Sequence, residues 1–316
     1  MNIENIPLGN NRTRGTVKVK GINNIRRKEI FWGYFFTLPA ILGLLIWTIG
    51  PMIASLYFSF TDYKVVGDFQ WIGFQNYTEI FKNDLNFKKS LFVTFYFAIG
   101  STIFTLAAAL FVAILMNISV KGQSLFRTMF YLPVIVPAVA SNILWLWLFN
   151  PDFGLLNSIL EFVNLPKLMW IYDESTVIPS LILLSMWSCG GTALIFLAGL
   201  QDVPKQLLEA VEIDGGNWWH KFRFVTVPSI SPVIFFNLIM GLIGSFQAFT
   251  QAYVMTEGGP NNSTLFYVFL IYREAFQKNN MGYASALSWI LFLVILIFTL
   301  FIFKSSKSWV HYGGGK

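Results

Sequence analysis

The chain has 316 residues, 55% of them hydrophobic and 12% charged, with a formal net charge of +6. Soluble domains carry about 25% charged residues, so this balance excludes an ordinary water-soluble enzyme, a disordered chain and a nucleic-acid binder. A single cysteine, Cys189, excludes a disulfide framework and a cysteine-rich metal site.

In chain order, a polar tail over residues 1–29 carries Arg12, Arg14, Lys18, Lys20, Arg26, Arg27 and Lys28. Six apolar runs follow: Phe31–Ser55, Leu91–Met116, Phe126–Phe149, Val177–Gly199, Val233–Met255 and Met281–Phe303. Each suffices to cross a membrane, which takes about 20 apolar residues. The runs are continuous, not alternating, which predicts helices and not the strands of a membrane barrel. The first run is too long for a signal peptide and no small-residue cleavage site follows it, so it is expected to remain as a span. The expectation is an all-α polytopic membrane protein with six crossings in residues 30–304, its core from about residue 87, and a short tail at 305–316.

Six crossings put both termini on one side. Fifteen of the 22 Lys and Arg fall on that side, and most acidic residues fall on the other. Basic residues favour the cytoplasmic face, so both termini are expected to be cytoplasmic. The positive charge then reports orientation and contact with membrane lipid, not nucleic acid.

Between the fourth and fifth runs, residues 200–231 form the one inner loop with the pattern of folded structure. Pro204 suits a helix start. Leu207, Leu208, Val211 and Ile213 have helical spacing, and Asp214-Gly215-Gly216 is a stop signal. Asn217 can cap a second short helix containing Trp218 and Trp219, and Pro228 and Pro232 are expected to break the chain before the fifth crossing. An interfacial hairpin anchored by the tryptophans would explain the aromatics. It does not explain Asp202, Glu209, Glu212 and Asp214 beside an anionic membrane, which favour a protein partner.

The stretch Glu209-Ala210-Val211-Glu212-Ile213-Asp214-Gly215-Gly216, followed by Val225-Thr226-Val227-Pro228, resembles the EAA loop of ABC-importer permeases. Val211, Gly216, Val225 and Val227 depart from the family pattern by small or apolar exchanges. Trp71-Ile72-Gly73-Phe74-Gln75-Asn76-Tyr77, Leu132-Pro133 with Phe149, Gly154 and Asn157, and Thr256-Glu257-Gly258-Gly259-Pro260 with Thr264, Tyr272 and Phe276 resemble the maltose and glycerol-3-phosphate group of carbohydrate permeases. The resemblance implies a type I importer permease fold in the bacterial cell membrane. It also implies a second homologous permease subunit, two cytoplasmic ATP-binding subunits and an extracytoplasmic solute-binding protein as partners. The coupling residues it implies are Glu209, Ala210, Asp214, Gly215, Trp218 and Pro228.

The sequence offers this chain no motor of its own. Its nearest approach to a phosphate-binding loop, Gly313-Gly314-Gly315-Lys316, lacks the following Ser or Thr, the strand and the helix. His220 and His311 have no third metal ligand nearby in sequence, and no intramembrane acid or base could relay protons. No catalytic residue, metal site or bound cofactor is expected, with ATP and magnesium on the partner subunits. Candidate substrate contacts are polar and aromatic residues in the crossings: Asn142 and Trp145; Ser185, Trp187, Ser188 and Thr192; Ser245 and Gln247. The same residue types also join membrane helices. Among the pocket positions implied by the resemblance are Val134, Ala138, Ser185, Trp187, Ser188, Gly190, Thr192, Gly241, Ser245, Gln247 and Ala248. Gly190-Gly191 reads more readily as close helix packing. The expected cargo is a sugar or oligosaccharide. A glycerophosphodiester or polyol importer, a secondary transporter and a structural scaffold are the alternatives.

Overall fold

The structure, a computed structural model, describes residues 22–118 and 121–311, with side chains from residue 28. Most of the basic tail therefore lies outside the described residues. The chain divides into two units, residues 1–54 and 55–316.

In the first unit, helix α1 (Ile22–Leu44) begins ahead of the apolar run and passes through a π-helical turn at Leu45–Ile49. Its large apolar side chains, Phe31, Trp32, Tyr34, Phe35 and Phe36 among them, are exposed. Such a surface is stable only against lipid or another apolar chain.

The second unit is a bundle of helices: α2 (its Gly50–Phe58 range begins in the first unit), α3 (Gln75–Lys82), α4 (Leu85–Asn117), α5 (Gln123–Ile135), α6 (Ala138–Leu148), α7 (Leu155–Phe162), α8 (Val177–Trp187), α9 (Gly190–Gln201), α10 (Lys205–Ile213), α11 (Trp218–Lys221), α12 (Val227–Ser229), α13 (Ser231–Phe246), α14 (Tyr267–Tyr272) and α15 (Met281–Ser306). Among the described residues, three helical stretches are long and apolar enough to span a membrane: Lys28–Phe58, Leu85–Asn117 and Met281–Ser306. Three bent pairs bring the number to six, with α5 and α6 meeting at 99°, α8 and α9 at 51°, and Trp218–Ser229 and α13 at 64°.

The predicted third, fourth and fifth runs are thus not straight helices. Val136 takes extended backbone (ψ 128°) before Pro137, as the residue before a proline prefers. Val233–Met255 is also interrupted. Helix α13 stops at Phe246, Gln247 caps it, and residues 247–249 leave the helix before a π-helical turn at Ala252–Thr256. Pro228 and Pro232 flank the bend before the fifth crossing, which falls at Ile230.

Helix α4 is the central post, packed on α8, α9 and α13. Its 33 residues span about 50 Å at 1.5 Å per residue. One apolar core gathers Phe97, Phe149, Phe246, Phe266, Tyr267 and Leu287 at its N-terminal half. A second gathers Ala109, Ala113, Met116, Ala193, Phe196 and Ile230 at its C-terminal half. Between them α4 carries Ser101, Thr102 and Thr105.

Several loops are fixed by single polar side chains. Asn157 donates to the carbonyls of Pro151 and Leu168 and accepts from Leu168 N and Trp170 Nε1. Asn76 donates to the carbonyls of Ser59 and Thr61. Thr264 joins Thr256 and the carbonyl of Gly259. The chain after α15 folds back, His311 N donating to Ser231 Oγ at 2.8 Å while Trp309 meets Phe235 edge-on.

Candidate functional site

Two features stand out, a cavity at mid-bundle and a hairpin at one end. The cavity, about 420 Å³, lies between the two apolar cores. Its walls are α4 (Ser101, Thr102, Thr105), the α8–α9 break (Ser185, Ser188, Thr192) and α13 with its broken end (Asn237, Ser245, Gln247, Thr250, Gln251). Ser245 Oγ accepts from Ser101 Oγ at 3.0 Å and lies 3.3 Å from Thr102 Oγ1, so the α4–α13 wall is set by hydroxyls. Asn237 Nδ2 bonds back to the Val233 carbonyl.

Non-helical backbone at membrane depth is tolerated only where protein covers it or it lines a hydrated cavity. Both breaks meet that condition, since Ser188, the C-cap of α8, and Gln247, the C-cap of α13, are on this wall. Helix C-termini present partial negative charge, and among the described residues no lining side chain is charged. The cavity offers hydroxyls, amides and carbonyl ends, which suits a neutral ligand rich in hydroxyl groups.

Five of the eight expected substrate contacts meet here: Ser185, Ser188, Thr192, Ser245 and Gln247. Trp187 does not, because residues two apart on a helix face opposite ways while those three or four apart share a face. It lines a separate, largely apolar cavity of about 580 Å³ with Trp145, Phe126, Phe130, Pro133 and Cys189. There it meets Trp145 edge-on at 5.9 Å. Asn142 is buried and lines neither cavity, and its Nδ2, like Trp145 Nε1, has no hydrogen-bond partner. Of the positions implied by the resemblance, Gly241 and Ala248 reach the mid-bundle cavity. Gly190 is a packing site, where a Cβ would stand 2.2 Å from the Phe130 carbonyl oxygen. Sequence reasoning missed Ser101, Thr102 and Thr105. The available signal was hydroxyls one helical turn apart in an otherwise apolar run.

The hairpin folds largely as expected. Helix α10 ends in a Schellman motif, with Gly216 N donating to the Val211 carbonyl at 2.8 Å and Gly215 N to the Glu212 carbonyl at 3.0 Å. Gly215 has φ +78°, a conformation open to glycine at no steric cost. Asn217 and His220 cap α11 reciprocally, and Lys221 pairs with Glu212 at 2.7 Å. That hydrogen bond and the ammonium charge hold the Glu212 carboxyl below the usual carboxylate range. Leu208 and Val211 pack on the second core. Ile213, in contrast, is 86% exposed and Leu207 is exposed, so the apolar spacing of α10 serves two faces. Glu209, Ala210, Asp214 and Trp218 are also exposed, while Pro228 is half-buried. Trp218 stacks on Phe222 with rings 5.4 Å apart. The outward surface is therefore apolar, aromatic and acidic together.

Among the described residues, no group of three or more His, Cys, Asp or Glu is placed to hold a metal ion.

Residues 105–308 match the family model described as binding-protein-dependent transport system inner membrane component. The chain is 42% identical over 290 residues to the probable ABC transporter permease protein YesP of Bacillus subtilis, covering 90% of this chain and 94% of that protein. It is 32% identical to the arabinooligosaccharides transport system permease protein AraP of Bacillus subtilis, covering 87% and 88%. It is also 30% identical to the multiple sugar-binding transport system permease protein MsmF of Streptococcus mutans, covering 88% and 96%. A chain in the crystal structure of a bacterial alginate ABC transporter, in complex with its alginate pentasaccharide-bound periplasmic protein, shares the fold. Its TM-score is 0.78 at 22% identity, covering 90% of this chain and 96% of that one.

Proposed function

The chain belongs to the binding-protein-dependent transport system inner membrane component family of ABC transporter permeases, and from that premise we propose that it is the sugar-conducting permease of an ATP-driven importer for a neutral oligosaccharide. The cargo is delivered by a solute-binding protein outside the cell. The observation that carries the substrate class is the mid-bundle cavity, walled by hydroxyls and amides at two helix breaks with no charged side chain. A sugar's hydroxyls donate and accept, so this wall can replace its hydration. A glycerophosphodiester would need a cation that the wall lacks, and a proton-coupled secondary transporter would need an ionisable group there.

In this reading Ser185, Ser188, Thr192, Ser245 and Gln247 touch the cargo. Trp145 and Trp187 brace α6 against α8, and Asn142 is buried within α6. The chain has no ATPase site of its own. A second permease completes the pore, and two ATP-binding subunits dock on the hairpin through Glu209, Ala210, Asp214 and Trp218, with Gly215 setting the turn and Pro228 beginning α12. Both termini lie in the cytoplasm. Closure of the ATP-binding subunits moves the hairpin, which is packed on the same core as α9 and the inner end of α4, and so shifts the cavity walls.

The test is uptake by the assembled importer. Gln247→Ala removes one hydrogen bond to a neutral group, a loss of about 0.5–1.5 kcal/mol. The expected result is roughly a two- to tenfold rise in the sugar concentration for half-maximal uptake, because about 1.4 kcal/mol is tenfold. Trp187→Ala should instead lower the thermal stability of the protein and leave that concentration near wild type. If Gln247→Ala and Ser188→Ala both transport like wild type, the cavity is not the pathway.

A further inference from the structure

We propose that a second cavity, at the end of the bundle opposite the hairpin, is a binding subsite for a neutral saccharide. The proposal rests on the reading of the chain as a saccharide importer and adds a site to it. The cavity, about 460 Å³, is formed by the loop before α3, by α3, by the first turn of α4 and by the segment leading into α15. Ligand pockets run from about 300 to 1,000 Å³. Helices α4 and α15 begin here and end beside the hairpin and the folded-back C-terminal segment, so some 40–50 Å of bundle separates the two ends.

The walls are fixed. Asp84 caps α4 through Oδ1 and accepts from Tyr283 through Oδ2 at 2.7 Å. Glu274 is buried and paired with Lys278 at 2.5 Å. Tyr63 stacks on Phe58 with ring centres 4.3 Å apart, and its carbonyl accepts from Gly282 N. The loop lies so close on α15 that a Cβ at Gly282 would stand 2.1 Å from the Thr61 carbonyl oxygen. These contacts fix the backbone frame of the cavity, while the exposed Lys64 and the half-buried Asn86 are free to turn toward a ligand.

Two polar side chains on the wall, Lys64 and Asn86, have no internal partner, and Glu79 is bonded through only one carboxylate oxygen. The cavity thus presents an ammonium and an amide as donors and carboxylates as acceptors, beside a tyrosine ring. The hydroxyl groups of the saccharide that the chain is proposed to import satisfy both kinds at once, without adding a charge. The carboxylates outnumber the ammonium groups, which disfavours an anionic sugar. Lys64 and Lys278 on the same wall disfavour a basic peptide. Because Lys64 and Asn86 hold nothing else in place, removing them tests binding without loosening the fold.

The experiment uses the full chain in phospholipid nanodiscs and saturation-transfer NMR, with maltotriose as the neutral probe, trigalacturonate as the anionic one and trilysine as the basic one. A Ser245→Ala/Gln247→Ala background weakens the mid-bundle cavity, and the signal that remains is assigned by its dependence on Lys64 and Asn86. On that background maltotriose should still receive saturation, and Lys64→Ala/Asn86→Ala should cut it at least fivefold. Glu79→Gln should change it less than twofold, and trigalacturonate should give at most a fifth of the maltotriose signal. Equal signals with and without Lys64 and Asn86 overturn the proposal. So does a trilysine signal that exceeds that of maltotriose and disappears in Glu79→Gln, which would mark a docking point for a basic protein segment. If the background shows no maltotriose signal while uptake still depends on Gln247, this subsite fails and the importer reading stands. If Gln247 proves irrelevant to uptake while the outer signal follows Lys64 and Asn86, the subsite stands and the mid-bundle pathway fails.

Discussion

At Gly216 a Cβ would stand 2.5 Å from Val211 Cγ1 and 2.8 Å from the Val211 carbonyl oxygen. Val211 and Gly216 are both departures from the EAA pattern, and the structure shows that they belong together. A branched side chain at 211 leaves room for no side chain at 216. Gly216→Ala should therefore cost about 1–3 kcal/mol, the usual range for overpacking, read as faster amide exchange across residues 205–221. Val211→Ala in the same chain should recover part of that loss, and a coupling above about 0.5 kcal/mol in the double-mutant cycle is the expected sign. Additive effects would mean that the backbone contact alone excludes a side chain. The neighbouring Gly215 has open space around it but φ +78°, so its constraint is conformational. A non-glycine residue there pays roughly 1–2 kcal/mol. Gly215→Asp should leave the helices inserted, re-aim α11 and reduce ATPase-subunit association and transport together. Co-purification and uptake assays check this. Wild-type values in both would remove the hairpin from coupling.

At the scale of elements, the close approach of α9 to α5 gives a paired prediction. Gly190→Ala would put a methyl into the Phe130 backbone, whereas a Cβ at Gly191 meets only Val134 side-chain atoms at 3.7 Å. Gly190→Ala should lower the unfolding temperature of the detergent-solubilised protein by several degrees, and Gly191→Ala should leave it nearly unchanged. Equal shifts would contradict the packing. Which elements the sequence made legible follows the same local logic. Continuous apolar runs, the Asp-Gly-Gly stop and the Asn217 cap are local signals, and the hairpin built on them is as expected. The bend at Pro137 is local too, though an apolar run conceals it. The breaks at Ser188 and Gln247 carry no proline, because what permits them is the cavity on the other side of the backbone. Trp187 stands off that wall for a related reason. Its chemistry suits a sugar, but its register on α8 turns it from the wall that Ser185 and Ser188 share. Ser101, Thr102 and Thr105 went unread because hydroxyls in an apolar helix look the same whether they join helices or face a ligand.

For the molecule as a whole, the arrangement is two apolar cores stacked along α4 with a polar layer at its midpoint. A bilayer surrounding such a bundle places the polar layer near mid-membrane, the depth at which a transporter must expose cargo alternately to either side. Which end faces the cytoplasm is decided by charge. The hairpin end carries Lys121, Arg127, Lys205, Lys221, Arg223, Lys304 and Lys307. The opposite end holds Asp62, Glu79, Asp84 and Glu274 around its cavity. Lys and Arg in short loops near the spans resist translocation while Asp and Glu contribute little, so the hairpin end should be inside. A phosphatase reporter, active only outside, should be silent when fused after Lys316 and active when inserted within 150–176. A green fluorescent reporter, which folds only inside, should give the reverse. The tail alone could set this orientation, so removing residues 1–21 is the stricter trial. If the remaining inner basic residues suffice, the reporters keep their sides. If the reporters invert, the tail governs insertion, and Arg12, Arg14, Lys18 and Lys20 are topological signals in their own right.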